Sequence, residues 1–448
     1  MRMSGTGRGR MENEAYKGSA IEPRRQDGLG TAAKVSVAIS LAIVLGIAMP
    51  LITAVLYPTY FTQMAQPWRE ITRILEVPYV LFEIVFILWA GRRGFDLTAA
   101  LKMLPLDIML AGGVLVGAMG ISSIAMSSDI PFALTHSLMW LVHLCFALAV
   151  YSVLTGEHPV DGDRFLAFHT VGLILLAIYT AWWFLTVPQP STLPFGEVRL
   201  RGALPGWIDV RHFGSWTGAI AAGFSVRILW GQEGRGMTLA HLGYTIAAGL
   251  TVWSGTRAAI LAIIAVCLIF LIMRRFPELQ RIGWAALLTA LSCFGAYLFL
   301  PDDPNFWLID LAELSTVGNA TDTRGDIWWF SIRIWERSPW FGLGTGSIFW
   351  EFPTADTPTQ PHNVILQFLI SWGIVGASSG LWLLGRGIAA VHRAGRGDIA
   401  LIALLGMLYA LLFQSLLEGM LHYPRFIVSI MVLGAIVLAS RKLPAQGR

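Results

Sequence analysis

Four residues of this 448-residue chain carry side chains suited to chemistry on an anionic substrate: Arg211, Arg257, Arg324 and His362. Guanidinium forks match phosphate oxygens two at a time, so three arginines on one face would bind a pyrophosphate. Arg324 stands at the expected start of a helix, where free N–H groups and the positive dipole end favour an anion. A neutral imidazole at His362, with an unperturbed pKa near ~6.5, can take a proton from an attacking hydroxyl. Asn363 is placed to hold that ring or a substrate hydroxyl, and Gln367 lies one turn further on. The blander alternatives are interfacial arginines that snorkel to the headgroups and a histidine that merely opens a helix. Arg257 resists its alternative best, because it occupies the tight Trp253-Ser-Gly-Thr-Arg257 turn between two apolar runs.

Between Arg324 and His362 lies a turn with Gly342, Gly344 and Gly346. Alternating glycines allow a tight backbone path like that of phosphate-cradling loops, so Gly344 is a candidate substrate contact. The turn lacks the Lys-Ser/Thr of a P-loop. No HExxH and no zinc-ligand spacing occurs, and the Asp302-Asp303 pair reads as a solvated turn. Metal-independent chemistry without a cofactor is the expectation. Glu418, His422 and Arg425 form a second polar group near the other end of the chain, able to pair internally or to border the site. Of the remaining polar residues in apolar runs, Asp107, His136, His143, His169 and Gln414 read as helix-to-helix hydrogen-bonding partners. Glu83 is kept as functional, because an ionisable group within a span is costly.

The elements that must position these residues are membrane helices. The chain is 55% hydrophobic and only 13% charged, too few charges to cover a soluble domain of this length. A net charge of +4 does not call for nucleic acid, since basic loops in membrane proteins record orientation. Cys145, Cys267 and Cys293 fall in apolar runs and read as packing residues. A span needs ~20 apolar residues. Twelve candidate runs fall near 35–56, 77–90, 104–124, 132–154, 165–187, 213–230, 239–253, 258–273, 283–300, 363–384, 398–416 and 424–440.

With both termini inside, 22 of the 32 lysines and arginines lie on the cytoplasmic side and 10 on the other, as the positive-inside rule requires. The expected fold class is therefore all-α: a polytopic integral membrane protein of about twelve transmembrane helices with a large structured periplasmic loop. Its expected divisions are a cytoplasmic tail at 1–34, transmembrane helices at 35–238, a core at 239–385 including the outer loop 301–361, and C-terminal helices with a short tail at 386–448. Within the loop, Phe306–Leu311 is expected at the membrane interface. Thr323-Arg-Gly-Asp326 opens a helix that Pro339 ends, with Ile327, Phe330, Ile334 and Trp335 at helical spacing.

Arg324 followed by Ile327-Trp328, then Pro339-Trp-Phe-Gly342-Leu-Gly344, then Pro361-His362-Asn363 with Leu366-Gln367 and Gly373-Ile-Val-Gly376, resembles the O-antigen ligase and polysaccharide polymerase superfamily. The Ser254-Gly-Thr-Arg257-Ala turn resembles its upstream arginine turn. The resemblance covers 240–385 and fades before that. It implies an inner-membrane glycosyltransferase that takes a glycan from undecaprenyl pyrophosphate at the periplasmic face. The acceptor hydroxyl would belong to a growing glycan or to lipid A–core, so ligase and polymerase both remain open. By the resemblance, Arg257 and Arg211 hold the pyrophosphate, Arg324 supports it, and His362 activates the acceptor. A transporter or flippase for lipid-linked sugars is the rival from another class. It is disfavoured by the unlike halves and by polar residues gathered at one face.

Overall fold

The computed structural model describes residues 36–57, 68–155, 162–186, 204–234, 236–300, 308, 323–346 and 360–440. Among the described residues every regular element is a helix. The expected tail at 1–34, the Asp302-Asp303 pair and most of Phe306–Leu311 lie outside them.

Each of the twelve expected runs coincides with a helix. They are α1 (Val37–Leu56, with a π-turn at Val44–Ala48), α2 (Trp68–Arg92), α4 (Leu106–Met126), α5 (Ile130–Leu154), α6 (Gly162–Thr186) and α7 (Val210–Trp230). The second half supplies α8 (Gly236–Trp253), α9 (Arg257–Met273), α10 (Leu279–Leu298), α12 (Val364–Gly395), α13 (Ile402–Gln414) and α14 (Pro424–Ser440). The other described elements are a short α3 (Leu97–Lys102), the loop helix α11 (Thr323–Trp335) and a single 3-10 turn at Met420–His422. Six of the twelve, namely α1, α4, α5, α6, α10 and α12, are long and apolar enough to cross a membrane, while α9, α13 and α14 are apolar but shorter. Large apolar side chains stand exposed along these helices, among them Leu110, Leu138, Ile178, Ile272 and Phe294. Water would not tolerate such belts, and lipid does. The chain is a multi-pass membrane protein.

Helix α7 runs through the middle of the bundle, packed against α8, α9 and α13 and buried along most of its length. Its sequence explains this: Gly214, Gly218, Ala219, Ala221, Ala222 and Gly223 let neighbouring backbones approach closely. A Cβ at Gly223 would lie 2.6 Å from Met407 Cγ and 2.9 Å from the Ala403 carbonyl of α13.

Several polar side chains in the spans find partners. Glu83 meets His143 Nδ1 at 2.7 Å between α2 and α5, Asp107 accepts from Arg386 Nε at 2.9 Å, and Gln414 donates to the Ser215 carbonyl at 3.2 Å. His169 departs from the expected helix-to-helix bonding, since its Nδ1 meets the Phe165 carbonyl of its own helix at 2.9 Å.

Helix α12 is broken at Gly373, whose φ of 60° and ψ of −168° are open to glycine alone. The break releases two carbonyls and two amides, which a membrane interior would leave unsatisfied at a cost of several kcal/mol each. The Pro339–Gly344 turn supplies all four partners. Leu343 N–H donates to the Ile370 carbonyl at 2.7 Å and Gly344 N–H to Ser371 at 3.1 Å. In return, Ile374 N–H donates to Pro339 at 2.8 Å and Val375 N–H to Trp340 at 3.2 Å. Ile334, Leu343 and Ile370 close a small apolar cluster over this junction, with Ile327, Phe330 and Trp335 against it.

Candidate active site

Helix α11 begins at Thr323, where the capping pattern places it. Arg324 and Trp328, four residues apart, share one face of it. Trp328 Nε1 donates to the Pro361 carbonyl at 3.0 Å. Arg324 Nη1 donates to the Leu417 carbonyl, and its Nη2 to Glu418 Oε1. One helix thus grips both the residue before His362 and the turn after α13.

That grip meets a second one at the start of α12. Asn363 caps the helix, its Oδ1 accepting from Ile365 N–H at 2.9 Å and Leu366 N–H at 3.2 Å, while its Nδ2 donates to the Leu416 carbonyl at 3.2 Å. Asn363 therefore fixes the helix end to the 415–418 turn. Between Pro361 and Asn363, His362 is held at φ 51°, the one non-glycine residue with positive φ among the described residues. Such a conformation costs on the order of 1–3 kcal/mol and persists where surrounding bonds impose it.

The imidazole is held against Glu418, with Nδ1 3.6 Å from Oε2. That exceeds hydrogen-bond length, so the coupling is coulombic in this state. Glu418 is almost fully buried, so its charge rests on Arg324 and on this ring. Burial pushes the His362 pKa below its ordinary value. Glu418 and Asp209 pull it up, and Arg324 and Arg211 push it further down. The outcome is an imidazole neutral at pH 7 and able to accept a proton.

Beneath it, His422 Nδ1 accepts from Gln367 Nε2 at 3.0 Å, and its ring stacks 6.5 Å from that of His136. Burial, and secondarily His362, lowers the His422 pKa to about 4.

Arg211 begins α7 just after its cap, Asp209, whose Oδ1 accepts from Arg211 N–H at 2.8 Å. Arg257 opens α9. The turn before it is anchored to α7 by Thr256 Oγ1, which donates to the Arg211 carbonyl at 3.4 Å. The Arg257 side chain is exposed, with Nε donating to the Leu308 carbonyl at 2.8 Å. The two arginines are thus neighbours through Thr256, and Arg211 is close enough to His362 to act on its charge.

Two expectations change. Gly344 is not a phosphate cradle in this arrangement. Its amide donates to Ser371, and a Cβ there would lie 2.8 Å from Ser127, so it serves the α12 break. Arg324 commits two donors to Leu417 and Glu418, which makes it an organiser of the histidine and its carboxylate before it is a phosphate ligand. The expected Glu418-His422-Arg425 group also divides. Glu418 joins Arg324 and His362, His422 joins Gln367, and Arg425 pairs with Glu76 at 2.6 Å while stacking on Trp207 at 4.4 Å. Glu76 and Asp209 were not singled out by their sequence context. The Asp209 cap before an α7 arginine was the one signal that local pattern offered.

These features define a helical membrane protein with a histidine–carboxylate–arginine cluster at one end of the bundle. Residues 242–379 match the family model described as O-antigen ligase, and the match supports membership of the O-antigen ligase and polymerase superfamily. The matched stretch contains Arg257, Arg324, His362, Asn363, Gln367 and Gly373, but neither Arg211 nor Glu418. No curated protein matches the chain.

Proposed function

We propose that this chain, whose family match supports an O-antigen ligase- or polymerase-type membrane enzyme, transfers a glycan from undecaprenyl pyrophosphate to an acceptor hydroxyl, at the periplasmic face of the inner membrane, through His362. The observation that carries this reading is the Arg324–Glu418–His362 arrangement, a neutral imidazole with a carboxylate at one nitrogen and arginines nearby.

In this reading the acceptor O–H gives its proton to His362 while its oxygen forms the new bond to the anomeric carbon of the donor sugar. The bond from that carbon to pyrophosphate breaks, and the electron pair leaves with the lipid pyrophosphate. Arg257 and Arg211 stabilise the departing charge, an electrostatic role fixed before the reaction begins. Glu418, through its charge, favours the imidazolium that forms. This role parallels the buried carboxylate of other histidine-dependent sites. The acceptor, a growing glycan or lipid A–core, separates polymerase from ligase, and both fit the same machinery.

His362→Ala is expected to lower transfer by ~10²–10⁴-fold, the usual contribution of a positioned general base. Lipid-donor binding and membrane insertion should be retained. Gel analysis of surface glycan in a deletion strain complemented with the variant reads the first, and donor binding to purified protein the second. Near-normal glycan from His362→Gln, which hydrogen-bonds but takes no proton at neutral pH, would remove His362 from the role of base. In the deletion strain itself, accumulated long lipid-linked polymer indicates a ligase, and a single-repeat product a polymerase.

A further inference from the structure

Gln360 and Gln367 stand on either side of His362, the first two residues before it and the second one turn into α12. Both are almost wholly buried, at 1% and 5% exposure. Their side-chain nitrogens are fixed on consecutive residues of one turn: Gln360 Nε2 donates to Tyr423 Oη at 2.9 Å, and Gln367 Nε2 to His422 Nδ1 at 3.0 Å. Both amide oxygens are left, and neither meets a donor among the described residues. A buried carbonyl without a donor is destabilising, and such groups are rare in folded proteins. Here two occur within eight residues, around the histidine of the site. Rotating either amide would leave its nitrogen unmet in place of its oxygen, and a sugar hydroxyl, which both donates and accepts, satisfies either orientation.

We propose that Gln360 and Gln367 form the sugar-binding side of this site, where hydroxyls of a sugar ring donate to the two amide oxygens. The proposal rests on the glycosyl-transfer reading above and adds to it the residues that select the ring beside His362. The chemistry decides the ligand class. Paired acceptor oxygens repel phosphate and welcome O–H donors, whereas Arg211 and Arg257 do the reverse. The site thus divides into a cationic side for the pyrophosphate and an acceptor-lined side for a polyol.

The test uses full-length protein in lipid nanodiscs. The probes are the methyl glycosides of glucose, galactose, mannose and N-acetylglucosamine, read by saturation-transfer NMR, and inorganic pyrophosphate, read by calorimetry. At least one glycoside is expected to bind the unaltered protein. Gln360→Met and Gln367→Met should each weaken it roughly five-fold or more, the effect of one lost hydrogen bond, with pyrophosphate affinity unchanged. Gln367→Glu keeps an oxygen acceptor but loses the donor to His422, and should retain glycoside affinity. No glycoside binding to the unaltered protein would overturn the proposal, as would unchanged affinity in the methionine variants. A loss in Gln367→Glu equal to that in Gln367→Met, or a parallel fall in pyrophosphate affinity, would reduce the glutamines to props of the 420–423 turn. Pyrophosphate failing to bind the unaltered protein would count against the lipid-pyrophosphate reading, while the glycoside arm still judges the glutamines.

Discussion

His362 lies between groups of opposite sign, and their signs make its pH dependence testable. Its pKa is depressed mainly by burial, so the basic form that transfer requires is already dominant above pH ~6.5. Activity should therefore hold through neutrality and fall only as pH drops below that value, through the lowered pKa. Glu418 favours the charged ring, so Glu418→Gln should move the acid limb of the kcat/KM profile to lower pH even as the rate declines. Arg324 disfavours it, so Arg324→Gln should move the limb upward. A profile in which neither variant shifts the limb would mean that another group controls it. Arg257 offers a separate test of geometry against charge. Arg257→Lys keeps the charge but loses the planar fork, and transfer should fall about ten-fold or more in the glycan assay. Full activity with lysine would reduce Arg257 to an interfacial anchor.

At the scale of elements, the break in α12 joins the site to the membrane bundle. The outer half of α12 carries Asn363 and Gln367, and its direction is set where the Pro339–Gly344 turn replaces the missing helical bonds. Gly373 has a conformation closed to other residues, and a Cβ there would lie 2.2 Å from the Trp340 carbonyl carbon and 2.3 Å from Phe341 N, both backbone atoms that cannot step aside. Gly373→Ala is therefore expected to cost more than the ~1–3 kcal/mol of backbone strain alone, lowering thermal stability in detergent and abolishing transfer. Gly385→Ala, further along the same helix with open space around the position, should be neutral or stabilising by up to ~1 kcal/mol. Equal stability of the two variants would show that the break does not need its glycine.

For the whole molecule the decisive question is which end of the bundle faces which compartment. The 22-to-10 division of basic residues predicts that the His362 end faces outside and the Arg274–Arg281 end inside. In a background with Cys145, Cys267 and Cys293 replaced, Glu336→Cys and Gln280→Cys provide exposed reporters at the two ends. An impermeant maleimide applied to intact spheroplasts is expected to label the first and to reach the second only after permeabilisation. The reverse pattern would move the site to the cytoplasm and exclude a periplasmic transfer.

Local pattern was enough to mark the helices, because a membrane helix satisfies its backbone bonds within its own run and needs only ~20 apolar residues to do so. The twelve runs, the capping pattern at Thr323 and the helix start after His362 were legible for that reason. Arg324 and His362 stood out as candidates for a similar reason, since both stand at helix starts amid apolar surroundings. Their partner was not: Arg324 and Glu418 are 94 residues apart, and nothing local selects Glu418 over the neighbouring His422 or Arg425. Those three look like one group along the chain, yet packing sends each to a different element. The glycines show the same limit. Their spacing announced a tight turn, but only the fold decided that the turn completes a broken helix, because the carbonyls it meets belong to Ile370 and Ser371 on another segment. Likewise Asn363 read as a ligand for ring or substrate, and the tertiary structure gave its oxygen to the end of α12.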